Sequence, residues 1–111
     1  VSEMRHKFRI RRDLILKELN IIDNIGYEIP KGAFYIFPDF SKYLNSTDDQ
    51  DNIIKTASDL SLYILNTTGV VTVSGDSFGA PGYIRLSYAT SEDIIIEAVS
   101  LINETLKKLN F

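Results

Sequence analysis

The stretch that most constrains this chain is residues 69–88, GVVTVSGDSFGAPGYIRLSY. Two short runs rich in β-branched and aromatic residues, at 70–73 and 83–88, flank a connection holding three glycines and a proline. Runs of this kind, bounded by turn formers, predict two strands joined by a tight, irregular loop and not a helix. Side chains alternate along a strand, so Ile84, Leu86 and Tyr88 fall on one face and Tyr83, Arg85 and Ser87 on the other. With the first set in the core, the second is a hydroxyl-lined surface with one guanidinium at its centre. Arg85 is the only arginine beyond residue 12. Its planar fork matches a carboxylate or phosphate through two parallel, charge-assisted hydrogen bonds. The competing expectation is an ordinary cross-strand ion pair. Two features weigh against that: no acidic residue alternates with Arg85 in its own run, and Gly75, Gly79 and Gly82 let a backbone or ligand come close. On the residues alone, this is a carboxylate- or phosphate-binding face.

At 111 residues the chain is expected to form a single domain, 1–111, with one modest core. Apolar content of 44% and charged content of 24% are those of an ordinary globular protein. A net charge of −3 argues against nucleic acid as a partner, although Arg5, Lys7, Arg9, Arg11 and Arg12 cluster near the front and keep a local anion-binding option open. No apolar run is long enough to span a bilayer, and no signal-peptide pattern opens the sequence. Without cysteine there is no disulfide framework, thiolate nucleophile or thiolate metal site, and a reducing compartment is compatible. The lone His6 leaves little for histidine-based catalysis and reads as an exposed or boundary residue. As a self-contained enzyme the chain is poorly equipped.

Residues 1–24 carry a helical stripe, Met4, Phe8, Ile15, Leu19 and Ile22, with Gly26 near the expected C-cap. The pattern is already helical at Glu3 with no N-cap before it, which predicts that the natural protein continues upstream. The arginines on the other faces read as a solvated or inter-domain surface. Residues 33–37 form a dense aromatic strand stopped by Pro38, with Phe34 and Ile36 on one face and Ala33, Tyr35 and Phe37 on the other. Both faces are apolar, so the strand is expected to be central or to lie beneath another domain. Ser46, Thr47, Asp48 and Asp49 read as a capping box or acidic first turn for a helix over 51–66. A calcium loop at Asp48, Asp49 and Asp51 is the weaker alternative, lacking the required glycine and terminal glutamate. That helix is expected to bury Ile53, Ala57, Leu60 and Ile64 and to end between Asn66 and Gly69. Thr90 or Ser91 caps a third helix with Glu92 and Asp93 in its first turn and Lys107 and Lys108 in its last. Its stripe is Ile95, Ala98, Val99, Ile102, Leu106 and Leu109. The expected fold class is α+β, a two-layer domain with three helices on one face of a small, mainly antiparallel sheet.

Three segments carry a resemblance: PKGAFYIFPDFS at 30–41, SGDSFGAPGYIRLSYATSED at 74–93 and FRIRRD at 8–13. Together they resemble the C-terminal small domain of class I, fold-type I aminotransferases that use pyridoxal phosphate, and within these the bacterial-type aspartate aminotransferase branch. The likeness runs through essentially the whole chain in the family's order. It implies that Arg85 holds the α-carboxylate of amino-acid and 2-oxo-acid substrates. It further implies that Phe78 and Gly79 flank the substrate as the domain closes, that Gly32 lies on a strand facing the cleft, and that Arg11, Arg12 and Asp13 lie on the long helix from the large domain. Ser74 departs from the family's usual proline, a change expected to loosen the loop. The Schiff-base lysine and the groups that grip the pyridine nitrogen and the phosphate belong, in the family, to the large domain; neither they nor the N-terminal segment that completes the small domain is in these 111 residues. Lys7, Lys17, Lys31, Lys42, Lys55, Lys107 and Lys108 match no part of that lysine's motif. No catalytic residue is therefore expected in this chain, which alone should neither bind pyridoxal phosphate productively nor transaminate. The resemblance further implies a homodimer; a cytoplasmic location is expected, and charge and hydropathy argue against a nucleic-acid or membrane partner. A different class of function, a non-catalytic regulatory module that binds amino acids or carboxylates on the same arginine face, is the alternative.

Overall fold

The computed structural model describes residues 2–23, 25–26, 35–87 and 90–110, leaving out the side chains of 2–6, 8, 77 and 78. In chain order the elements are α1 (Ser2–Leu19), β1 (Tyr35–Ile36), β2 (Ser46–Thr47), β3 (Ile53–Ile54), α2 (Ala57–Thr68), β4 (Val73–Ser74), β5 (Ile84–Ser87) and α3 (Glu92–Leu106). Turns of 3-10 helix occupy Ser41–Tyr43 and Gly75–Phe78. The antiparallel sheet runs β1-β5-β4, with Ile36 opposite Leu86, Tyr35 opposite Ser87 and Val73 opposite Arg85. Alternation in β5 is as its sequence pattern predicts. Ile84 and Leu86 are buried, and with Ile36 they meet Ile15 and Leu19 of α1, Leu60 and Ile64 of α2, and Ile95, Val99, Ile102 and Leu106 of α3 in one core. Tyr35, Tyr83 and Ser87 are exposed on the opposite face. Helices on one side and an open face on the other make the expected two-layer α+β domain.

Several boundaries differ from the sequence-based expectation. Helix α1 ends at Leu19, because Asn20, Ile21 and Ile22 donate backbone hydrogen bonds three residues back and tighten the chain into a turn. Gly26 is accordingly no cap; it bridges Asp39 across an antiparallel backbone pair. Among the described residues strand β1 stands at the edge of its sheet and not at the centre, since β5 takes the middle position between it and β4. Its outward Tyr35 and Phe37 remain about 40% and 41% exposed. Ala33 and Phe34 lie outside the described residues, as does Tyr88.

The helix expected over 51–66 begins six residues later, at Ala57. Ser46 and Thr47 form β2, pair with β3 and leave Ile53 exposed instead of buried. A local turn competes with helix here. The Asp48 carboxylate accepts the backbone N–H groups of Gln50 and Asn52, both at 2.9 Å, and the Asn52 side-chain amide at 3.2 Å. Asn45 and Asp51 take left-handed backbone angles, φ 68° and 62°, which these two residue types tolerate. Thr56 is the true N-cap: its hydroxyl accepts the Asp59 N–H at 3.1 Å while the Asp59 carboxylate accepts the Thr56 N–H at 3.3 Å. Gly69, at φ 80°, closes the helix as expected. Ser91, and not Thr90, caps α3 by accepting the Ile94 N–H at 3.4 Å. Among the described residues no cluster of three acidic, histidine or cysteine side chains is arranged to hold a metal ion, and no helix is long and apolar enough to cross a membrane.

The Asn52 and Gln50 amides hold the Asp48 carboxyl below the usual carboxylate range, Asn52 contributing most. A carboxyl whose folded pKa is depressed stabilises the fold above its unfolded value and loses that contribution as pH falls through the folded one. Asp48→Asn is therefore expected to lower Tm at pH 7, with the gap from wild type closing as pH drops below about 4. Thermal unfolding at several pH values checks this; an equal gap at pH 7 and pH 2.5 would remove the charge from the explanation.

Candidate functional site

The site is built on the outward face of β5. Burial of Ile84 and Leu86 fixes the strand's rotation, so the side chain between them is driven outward, and Arg85 is half-buried on the open face. Its Cζ lies 4.2 Å from the centre of the Tyr35 ring. Tyr35 pairs directly with Ser87, so it reaches Arg85 along the diagonal of the same face. Val73 stands opposite Arg85 on the other side, and exposed Phe37 and Tyr83 share the surrounding surface. Stacking uses the flat face of a guanidinium, whereas its N–H groups point outward in the plane. The Tyr35 ring thus helps fix where the guanidinium stands on this face. Chemically, the arrangement is a positioned cation on a partly apolar surface, suited to a planar anion.

The loop before β5 is tight. Gly75 N–H donates to Tyr83 O at 2.6 Å and Ala80 N–H to Gly75 O at 2.9 Å, so a Cβ on Gly75 would lie 2.3 Å from the Ala80 carbonyl. Gly82, at φ 86°, would place a Cβ 2.9 Å from that of Ser41. Gly75 thus serves the approach of backbone to backbone, and Gly82 the approach of the Ser41 side chain. Phe78 ends the 3-10 turn and Gly79 closes it, while the Phe78 side chain and the whole of Gly32 lie outside what is described. Ser74 is itself bonded in the loop: its hydroxyl accepts the Asp76 N–H at 3.3 Å and lies 2.8 Å from Ser58 Oγ. The stacking role of Tyr35 escapes sequence reasoning, because it depends on a register between distant strands; the aromatic alternation of 33–37 was the one available signal.

Among the described residues a groove of about 470 Å³ runs between α3 and the segment 69–71. Val70, Val71, Ile94 and Leu101 line it and no basic residue does, so it is less suited to an anion than the Arg85 face. Covalent attachment of a carbonyl cofactor needs a lysine facing an enclosed site. Lys7, Lys17, Lys42, Lys55, Lys107 and Lys108 are all exposed and none lies on β1, β4 or β5; Lys31 is outside the described residues. Among the described residues, then, no lysine faces an enclosed site.

The family model for aminotransferase class I and II matches residues 1–102. A probable aspartate/prephenate aminotransferase from Aquifex aeolicus is 40% identical, the match covering 98% of this chain and 26% of that protein. An aspartate aminotransferase from Rhizobium meliloti is 36% identical over 99% of this chain and 27% of its own length. The crystal structure of the aspartate aminotransferase from Rhizobium meliloti superposes with a TM-score of 0.93 at 36% identity, covering 98% of this chain and 27% of that one. An aromatic aminotransferase from Pyrococcus horikoshii gives a TM-score of 0.80 at 34% identity over 96% of this chain and 26% of its own. The chain thus spans about a quarter of the length of the curated relatives it matches.

Proposed function

Because this chain belongs to the class I and II aminotransferase family, we propose that its 111 residues are the C-terminal, substrate-clamping domain of an enzyme that moves an amino group between an amino acid and a 2-oxo acid. Aspartate or glutamate is the amino-acid substrate in this reading, in keeping with the names of the relatives. Arg85 holds the substrate α-carboxylate, and the loop with Phe78 and Gly79, together with Gly32, borders the same substrate. The observation that carries the proposal is the Arg85 guanidinium, turned outward by its buried neighbours and placed with its Cζ over the Tyr35 ring. Pyridoxal phosphate, the family's usual cofactor, supplies the electron sink for amino-group transfer. Its anchoring lysine lies, on this proposal, in a large domain outside these residues, and the complete enzyme is a cytoplasmic homodimer.

Closure of the domain over the substrate removes water from the Arg85–carboxylate pair and strengthens it. The test compares the natural full-length protein with the 111-residue chain. Transfer from aspartate to 2-oxoglutarate is expected from the first and not from the second. A full-length protein that transfers from no amino acid would overturn the proposal. So would micromolar binding of dicarboxylic acids by the 111-residue chain alone in calorimetry, the behaviour of a regulatory carboxylate-binding module.

A further inference from the structure

Asp76 is exposed, yet its carboxylate gathers donors from three separate segments. Oδ2 accepts the Ser58 backbone N–H at 2.9 Å and the Ser58 hydroxyl at 2.8 Å, both from the first turn of α2. The Ser58 hydroxyl first and then its backbone N–H hold the Asp76 carboxyl below the usual carboxylate range, with lesser contributions from the Gly82 N–H, two residues before β5, and from Ser74 at the end of β4. The Asp76 N–H returns a bond to Ser74 Oγ at 3.3 Å, and that oxygen lies 2.8 Å from Ser58 Oγ. One side chain therefore joins the N-terminal turn of α2, the exit of β4 and the approach to β5. The first-turn amide it accepts is one that the helix itself leaves without a partner.

The position of this junction matters because the β4–β5 ladder is only two residue pairs long, Val73 with Arg85 and Ser74 with Ile84. So short a pairing holds a strand weakly by itself. Bonds inside the loop, Gly75 to Tyr83 and Ala80 to Gly75, make it compact, and its far end is tied to the 38–40 segment by the Phe40 N–H on the Gly82 carbonyl at 2.9 Å and the Ile84 N–H on the Pro38 carbonyl at 3.1 Å; its near end has no such backbone tie to α2. The attachment to α2 passes through Asp76 and Ser74, and Ser74 is itself one of the ladder residues. We infer that Asp76 is a positioning residue for Arg85: by tying the β4–β5 connection to α2, it sets the height and angle at which the guanidinium meets a carboxylate. The inference rests on the substrate-binding role proposed for Arg85. It names a carboxylate, outside the binding face, that acts only through the strand.

The experiment uses the full-length protein with Asp76→Asn and Ser58→Ala. Asparagine keeps the shape but removes the charge and turns one acceptor into a donor facing other donors. Amide hydrogen exchange across residues 75–83 is expected to rise in Asp76→Asn. KM for the amino-acid substrate is expected to rise about tenfold, the equivalent of one charge-assisted hydrogen bond, with kcat within about twofold. Ser58→Ala, which keeps the backbone donor, is expected to move both readings in the same direction by less, and it stands in should Asp76→Asn fail to fold. Unchanged exchange would overturn the junction. Raised exchange with an unchanged KM would show that the ordering does not reach Arg85, and would overturn the positioning role. Arg85→Ala in parallel separates this from the underlying reading: if its kcat/KM equals wild type, the substrate arginine is lost, whatever the exchange data say about the loop.

Discussion

Arg85→Ala in the full-length protein is expected to lower kcat/KM for amino-acid substrates by about two to three orders of magnitude, within the roughly 2–5 kcal/mol that truncating one partner of a desolvated charge pair costs. Much of that cost is the substrate carboxylate left buried without a partner. The loss should therefore follow the carboxylate: discrimination between an amino acid and the amine that lacks its α-carboxylate should shrink by a similar factor. Arg85→Lys is expected to recover little. An ammonium keeps the charge but offers neither the in-plane fork nor the planar group whose Cζ lies 4.2 Å from the Tyr35 ring centre. Steady-state kinetics with the amino acid and its amine check the set. Unchanged kcat/KM in Arg85→Ala would remove the residue from substrate binding.

Phe40→Ala is expected to destabilise the 111-residue chain by about 3–5 kcal/mol, against a total of roughly 5–15 kcal/mol for an ordinary domain. Phe40 is fully buried where three parts of the chain meet. Its N–H donates to the Gly82 carbonyl at 2.9 Å, just before β5, and Ile84 N–H donates to the Pro38 carbonyl at 3.1 Å beside it. Its ring centre lies 6.4 Å from that of Tyr43, whose hydroxyl donates to the Asp23 carbonyl beyond α1. Deleting the ring opens a cavity in the close-packed core that its neighbours fill only in part. Phe40→Leu, which keeps most of the volume, is expected to cost less than about 1.5 kcal/mol. Urea unfolding of the three proteins measures both differences. A loss below about 1 kcal/mol for Phe40→Ala would show that the core does not depend on this ring.

What the sequence determined by itself is what short-range rules decide. Alternation in 83–88 put Ile84 and Leu86 inside and Arg85 outside, because successive residues of a strand point to opposite faces whatever the strand pairs with. The stripes of Leu60 and Ile64 in α2 and of Ile95, Val99, Ile102 and Leu106 in α3 follow in the same way from helical periodicity, and Gly69 as a C-cap from its freedom at positive φ. The candidate arginine and the α+β class were legible for that reason, and the family through its motifs. Only the tertiary structure decided where the segments pair. The β2–β3 hairpin replaced an expected helical turn because the Asn45 N–H donates to the Ile54 carbonyl and Thr47 bridges distant Asn110, bonds that no local propensity reports. The edge position of β1, the Tyr35 stack on Arg85 and the three-segment junction at Asp76 likewise depend on register between segments far apart in the chain. Periodicity assigns a face to each residue, but its neighbours across that face follow from which strands meet and at what offset.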